Sequence, residues 1–365
     1  METLFNNIYK DKVVLVTGHT GFKGSWLSLW LKELGATVIG YALEPPTEPN
    51  HFELLKLEMI KIIDDIRNRE KLSDTLNKYK PDIVFHMAAQ PIVRDSYSNP
   101  VYTLETNILG TVNVFEACRK TDSVKAIINV TSDKCYENKE WLWGYRENDP
   151  MGGYDPYSVS KGCSELITSA YRNSFFNLKD YGKTHNILLS SVRAGNVIGG
   201  GDWAKDRLIP DIIKATSNNE TVIIRNPDAT RPWQHVLEPL SGYLLLGEKL
   251  LEGKKEFAEA WNFGPKLENN VTVMELLKES QKNWNKINYD IDKSYQPHEA
   301  EFLMLDSSKA VKLLKWMPVW DFSKTVEKTI TWYREFYENK WVTSKDILNN
   351  YIRDAKNKCI LWSQK

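Results

Sequence analysis

The strongest constraint on the fold is local. An apolar run from Val13 to Thr17 passes directly into TGHTGFKG and then into a helical pattern from about Phe22 to Leu34. Apolar residues at consecutive positions make a strand buried on both faces, which is the strand of a parallel sheet covered by helices. Gly18, Gly21 and Gly24 lie between that strand and that helix. Glycines there permit a tight turn and close approach of the main chain to a diphosphate, which rests on the positive helix N-terminus. Strand, glycine loop and helix in this order predict a doubly wound α/β fold holding a dinucleotide; the plainer alternative is a structural turn.

The first half continues the pattern. TVIGYA (37–42), DIVFHMAA (82–89) and KAIINVTS (125–132) alternate with helical stretches, and NILLSSVRAGNV (186–197) follows a long helix beginning near Tyr157. Alternation of this kind gives a parallel sheet with helices on both faces. From Ile198 the texture changes to GGGDW, proline-bounded pieces and short isolated strands such as FLML at 302–305. The predicted organisation is a Rossmann-type dinucleotide-binding domain over 1–197, rejoined by a segment of about 232–260, and a smaller mixed substrate-binding domain over 198–231 and 261–346, with a helical tail over 347–365. A chain of 365 residues, 42% hydrophobic, can fill such a core.

Charge narrows the classes of partner. Lysine plus arginine and aspartate plus glutamate each number 48, so there is no net field to draw in nucleic acid or an anionic membrane. The polar opening segment and the lack of an apolar run of roughly 18 residues predict a soluble, cytoplasmic chain. Cys118, Cys135, Cys163 and Cys359 show neither metal-ligand spacing nor a disulfide framework, so reduced thiols and no metal are expected.

Two short segments carry chemistry. YSVSK places Tyr157 and Lys161 on one face of the long helix. A phenol with a pKa of about 10 is a poor base near neutrality, and a nearby ammonium is expected to lower it. Ser132, from the preceding strand end, is placed to bond the same substrate oxygen. Alone, a tyrosine and lysine at this spacing are commonly an exposed helix face. TSDKCY adds Asp133 and Lys134 directly after Ser132, where adjacent charges are ordinarily a solvated loop.

The strings VTGHTGFKGSWL, AAQPIVRDSY, TSDKCYENKEWLWGY, GGYDPYSVSKGCSEL, RAGNVIGGGDWAKDRLIPD and RPWQHVLEPLSGYL cover nearly the whole chain in their arrangement. They resemble the extended short-chain dehydrogenase/reductase family, and within it the nucleotide-sugar 4,6-dehydratases that act on CDP-glucose. The resemblance implies NAD held by Gly18, Thr20, Gly21, Phe22, Lys23 and Gly24 in the loop, and by Asp65 and Ile66 at the adenine. It adds Ala88, Ala89 and Gln90 below the nicotinamide ribose, with Asn107, Tyr157 and Lys161. Ala42 stands where the family commonly has the ribose-binding carboxylate, with Glu44 close by, so NAD of ordinary affinity is implied and NADP stays open.

For CDP-glucose, the resemblance implies contacts from Ser132, Asn196, Arg207 and Arg231, with His298 in YQPHEA where relatives often carry an arginine. Trp203 and Trp233 either line the pocket or pack in the core, and His235 is structural. Helices holding residues 99–119 and 157–176 resemble a four-helix homodimer interface. The implied reaction is oxidation at C4, loss of water across C5 and C6 and reduction at C6, supplying a deoxysugar for surface polysaccharide such as lipopolysaccharide O-antigen.

Most enzymes of this branch present Asp-Glu after the serine or threonine; here the pair is Asp133 and Lys134. In one reading Asp133 is the acid for the C6 hydroxyl and neutral Lys134 the base for the C5 proton. Reference pKa values of about 3.9 and 10.4 set this arrangement about 9 kcal/mol uphill in water, which burial must offset. In the other, Lys134 stays charged beside the developing enolate and another group takes the proton. A nucleotide-sugar 4-epimerase is the alternative enzyme, needing only the oxidising pair, and a non-catalytic NAD-sensing protein is the alternative class.

Overall fold

The computed structural model describes residues 4–224, 226–265, 270–292 and 303–364. Its first unit runs β1 (Val13–Thr17), α1 (Phe22–Glu33), β2 (Thr37–Ala42), β3 (Ile60–Ile63), α2 (Arg69–Tyr79), β4 (Ile83–His86), α3 (Gly110–Arg119), β5 (Ala126–Val130), α4 (Pro156–Ser174) and β6 (Leu188–Ala194). Beyond these come α5 (Leu208–Ser217), α6 (Leu237–Leu251), β7 (Ala260–Phe263), α7 (Val273–Asn283), α8 (Phe322–Asn339) and α9 (Ser344–Asn357). The seven strands form one sheet in the order β7-β6-β5-β4-β1-β2-β3, all parallel. This is the predicted Rossmann-type fold. Its strand order reverses between β1 and β4, opening the crevice in which such sheets place ligands.

Strand periodicity divides the core. Leu15, Val84, Ile127 and Leu189 face Leu72 and Leu76 of α2 and Val114 and Phe115 of α3. Their neighbours Val14, Ile83, Ile128 and Leu188 face the opposite side, where Trp26 and Trp30 of α1 and Leu240 and Leu244 of α6 are buried. Because both faces are covered, each central strand reads as an unbroken apolar run.

The second half contributes small strand pairs: 197–198 with 234–235, 221–224 with 288–291, and 230–232 with 270–272. Three expectations change here. The segment returning to the sheet runs on past 260 through β7, which pairs with β6. Among the described residues, Leu305 of FLML makes an isolated bridge to Tyr145 in place of the expected strand, and Phe302 lies outside those residues. The expected tail packs into the main core: Ile347, Leu348, Tyr351 and Ile352 form a buried stripe beneath the polar outer face of α9. Trp362 then stacks on Phe5 at 5.1 Å. Among the described residues the four cysteines are free, no metal-ligand cluster occurs, and no helix is long and apolar enough to cross a membrane.

Candidate active site

The glycine loop sorts its residues by what the chain itself demands. Gly18 has φ +76, and a Cβ there would lie 2.8 Å from the Ala88 nitrogen; one on Gly24 would lie 2.1 Å from the Gly18 oxygen. Both are required by packing. Gly21 has φ −78 and precedes α1 without a side-chain cap, and a Cβ there would meet only the Gly18 oxygen at 3.4 Å. A bare cradle thus remains at a helix start, whose first N–H groups, including those of Phe22 and Lys23, lack intrahelical partners. These residues fit a dinucleotide diphosphate. Thr20 closes the loop by donating to the Leu43 carbonyl at 2.9 Å, beside Ala42.

At the far end of the crevice, an open cleft of about 420 Å³ is lined by Asp65, Arg67, Glu105, Leu109 and Asn113. Asp65 pairs with Arg67 at 2.8 Å. The Ile66 side chain is used in packing, since a Cβ on Gly110 would sit 2.4 Å from it. Under the centre, Thr17 accepts from the N–H groups of Met87 and Ala88 at 3.0 and 3.1 Å. Ala89 lies half-buried in the same loop. Asn107 sits in a π-helical turn, Glu105–Leu109. Its amide donates to the Gln90 carbonyl and to Ser160 and accepts from the Gln90 N–H at 2.8 Å. Gln90 is likewise occupied with Ile92 and Thr103. Both side chains therefore brace the loop from behind.

The reacting cluster joins α4 to the end of β5. Asp155 caps α4, accepting from the Ser158 N–H at 2.9 Å, with Pro156 in the first turn. That start sets Tyr157 and Lys161 facing the strand end. Burial pushes the Tyr157 phenol up to about 12; Ser132 and Arg207 oppose this, and Asp133 and Asp155 add to it. The expected lowering by Lys161 does not prevail: its Nζ stands 6.0 Å from the Tyr157 ring centroid and donates to the Val130 carbonyl at 3.5 Å. Burial lowers Lys161 itself to about 8, against the charge of Glu165.

Asp133 and Lys134 occupy a short 3-10 turn, Asp133–Cys135, capped by Ser132, which accepts from the Lys134 N–H at 3.3 Å. They are not a solvated loop: Asp133 is buried and Lys134 half-buried. Ser132 donates to Asp133 Oδ1 at 2.9 Å. Burial raises the Asp133 carboxyl, opposed by Lys134, Ser132 and Lys23. Gly195 makes room for it, since a Cβ there would lie 3.0 Å from Asp133 Oδ2. Lys23, assigned from sequence to the cofactor alone, also acts on this cluster: burial lowers it to about 8, Arg207 and Lys161 push the same way and Asp133 opposes.

Beneath the cluster lies a network the sequence reading missed. Glu165 accepts from Thr131 through Oε1, and through Oε2 from Ser191 at 2.7 Å and Arg193 at 2.8 Å. Arg193 continues to the Tyr136 hydroxyl and the Glu147 carbonyl. Glu165 follows Lys161 by one helical turn, and that spacing was the available signal.

On the substrate side, Asn196 is exposed just after β6. Arg207 donates to Asp202 at 2.8 Å and acts electrostatically on Tyr157. Arg231 donates to the Thr230 carbonyl. Pro232, next to it, lies 3.7 Å from the position of a Gly195 Cβ. Trp203 packs among Trp332, Tyr333 and Phe336, and Trp233 is buried, so both belong to the core. His235 is buried between Trp26 and Trp320. His298 lies outside the described residues.

The profile of the family described as GDP-mannose 4,6 dehydratase matches residues 15–329. The chain belongs to the GDP-mannose 4,6 dehydratase family. It is 53% identical over 345 residues to a CDP-glucose 4,6-dehydratase of Salmonella typhimurium, covering 94% of each chain. Identity to a putative UDP-glucose 4-epimerase of Methanocaldococcus jannaschii is 28%, covering 88% of this chain and 98% of that one. Among solved structures, the epimerase Mth375 of Methanothermobacter thermautotrophicus superposes with TM-score 0.75 at 25% identity, over 91% of this chain and 95% of that one. A Bacillus cereus UDP-glucuronic acid 4-epimerase, solved with UDP-glucuronic acid and NAD, gives 0.73 at 24% identity, over 89% of this chain and 100% of that one. Members of this dehydratase family and these epimerases thus share the present fold.

Proposed function

We propose that the chain is an NAD-dependent dehydratase converting CDP-glucose into CDP-4-keto-6-deoxyglucose. The observation that carries this is the buried Asp133 carboxyl, raised by its surroundings and hydrogen-bonded to the serine facing Tyr157. An epimerase needs the oxidising pair but no acid for a departing hydroxyl. The 53% identity to the Salmonella enzyme supports the same choice and supplies the cytidine assignment.

Gly18, Gly21, Gly24 and the start of α1 would hold the cofactor diphosphate, with Asp65 toward the adenine and Lys161 toward the nicotinamide ribose. NAD, when bound, supplies the hydride acceptor at C4 and the donor at C6. Tyr157 takes the 4-hydroxyl proton while Ser132 bonds the same oxygen. Lys134 takes the C5 proton, and Asp133 gives its proton to the C6 hydroxyl, which leaves as water. Arg207, Arg231 and Asn196 hold the sugar-nucleotide diphosphate, where planar guanidinium forks suit phosphate oxygens. Loss of C5 exchange with solvent in Lys134→Met tests the base role; undiminished exchange refutes it.

Exposed apolar side chains Tyr97, Val101, Leu109, Leu166 and Phe175 crowd the surface of α4 and the helices before α3. They support a homodimer through these helices. Light scattering at micromolar concentration gives a dimer mass on this reading and a monomer mass against it. The activity is tested by incubating the protein with NAD+ and CDP-, UDP-, dTDP- or GDP-glucose and following the alkaline absorbance of the keto product. Turnover of CDP-glucose is the expected result, and epimerisation or turnover of another sugar nucleotide alone contradicts it.

A further inference from the structure

Lys161 is an ammonium enclosed between helix and sheet. Its hydrogen-bond partner among the described residues is the Val130 carbonyl, at 3.5 Å, although the group has three protons to donate. A buried cation with so little compensation loses its proton unless a carboxylate stands near. The side chains that act on Lys161 are Glu165 on its own helix and Cys135 on the turn after β5, and Lys161 itself acts on Lys23 of α1. Lys161 in turn acts on His86 of β4. Tyr157, on the other side along α4, faces Ser132, Asp133, Asp155 and Arg207. The carboxylate in the set acting on Lys161 is Glu165.

Glu165 is held ionised by a built site. Burial acts to raise its carboxyl, and the Arg193 charge, with hydrogen bonds from Arg193, Thr131 and Ser191, brings it below the ordinary value. Arg193 also donates to the Tyr136 hydroxyl and the Glu147 carbonyl. The carboxylate is ion-paired with Arg193 at 2.8 Å and lies one turn along α4 from Lys161, which is itself one turn from Tyr157. It also fastens Thr131, the residue before Ser132, to the catalytic helix.

We propose that Glu165 is a positioning residue of the oxidising pair, the counter-charge that keeps the enclosed Lys161 ammonium protonated and so able to hold the nicotinamide ribose beside Tyr157. This rests on the reading of Tyr157 and Lys161 as the oxidising pair of an NAD-dependent enzyme.

The test compares the full-length protein with Glu165→Gln in two readouts: the pH dependence of kcat with CDP-glucose, and the pH dependence of NAD+ affinity by calorimetry. Loss of the carboxylate lowers Lys161 further, so the alkaline limb of both profiles moves acid-ward by about one unit. Near pH 8, NAD+ binding is then about fivefold weaker than in the unchanged protein, approaching about tenfold at higher pH, while well below pH 7 the two bind alike. Glu165→Asp recovers part of the shift. Should Glu165→Gln not fold, Glu165→Gln/Arg193→Met removes both charges at similar volume, which buried pairs commonly tolerate, and the same shift is expected. Profiles that superpose on the unchanged protein, with only the melting temperature lowered, overturn the proposal. An unchanged protein that converts no CDP-glucose overturns the functional reading instead, and the NAD+ titration still decides the role of Glu165.

Discussion

The two sides of the reacting cluster are built differently. On the helix side, Tyr157, Lys161 and Glu165 follow the period of one long, capped helix and rest on a buried hydrogen-bond network. On the loop side, Asp133 and Lys134 stand on a short turn whose position depends on the Ser132 cap and on the missing side chain of Gly195. On the proposed reading, oxidation relies on a regular element, whereas elimination relies on close approach between irregular ones. The oxidising pair is the part shared by the reading as dehydratase and the reading as epimerase, and the loop side is where they differ.

The largest expected effect separates the sides most sharply. Tyr157→Phe abolishes reduction of the cofactor by CDP-glucose, with kcat down by about 10³-fold. Stopped-flow absorbance of the reduced cofactor checks this, and a rate within tenfold of the unchanged protein would break the comparison. Gly195→Ala instead presses a methyl group toward Asp133 Oδ2, at 3.0 Å, so dehydration falls by about tenfold while oxidation persists.

The glycine loop offers a contrast of the same kind. Gly24→Ala forces the main chain of Gly18 to move and lowers stability by about 1–3 kcal/mol, read by denaturant unfolding. Gly21→Ala leaves stability nearly unchanged and weakens NAD+ binding. Equal stability losses in both would remove the argument for a diphosphate cradle. Lys161 and Lys23, both lowered to about 8, are charged below that pH and lose their protons above it. NAD+ affinity therefore falls by about tenfold per unit on the alkaline side for each of the two charges that the bound cofactor requires, as calorimetry can follow. The smallest effect belongs to the ion pair Arg94–Asp206, whose side chains are 56% and 39% exposed. Arg94→Ala changes stability by at most about 1 kcal/mol, in thermal melts at low and high salt.

What could be read from the sequence follows the same division. The strands β1, β2, β4, β5 and β6 and the glycine loop were legible because burial on both faces leaves unbroken apolar runs and because the loop needs glycine where backbones meet; β3, half-exposed at the sheet edge, was not. Tyr157 and Lys161 were legible from helix period. Glu165 carried the same periodic signal, but its partners lie far along the chain, Thr131 just after β5 and Ser191 and Arg193 on β6, and no local pattern joins them to it. The second half was less legible because short strands pair over long separations, as 221–224 does with 288–291. In α9 the polar residues outnumber the buried stripe, so a core helix reads as a tail. The upward shift of Tyr157 was hidden for another reason: burial is a property of the assembled site, and it outweighs the spacing to Lys161.

The most direct test of the central claim is a single turnover of Asp133→Asn with NAD+ and CDP-glucose, following the reduced cofactor and the keto product together. An asparagine cannot give the C6 hydroxyl its proton, so the reduced cofactor should appear at close to the normal rate and persist, with formation of the 4-keto-6-deoxy sugar slowed by about 10²-fold or more. Product formed at the normal rate would contradict the assignment of Asp133 as the acid, and with it the reason for reading this site as a dehydratase.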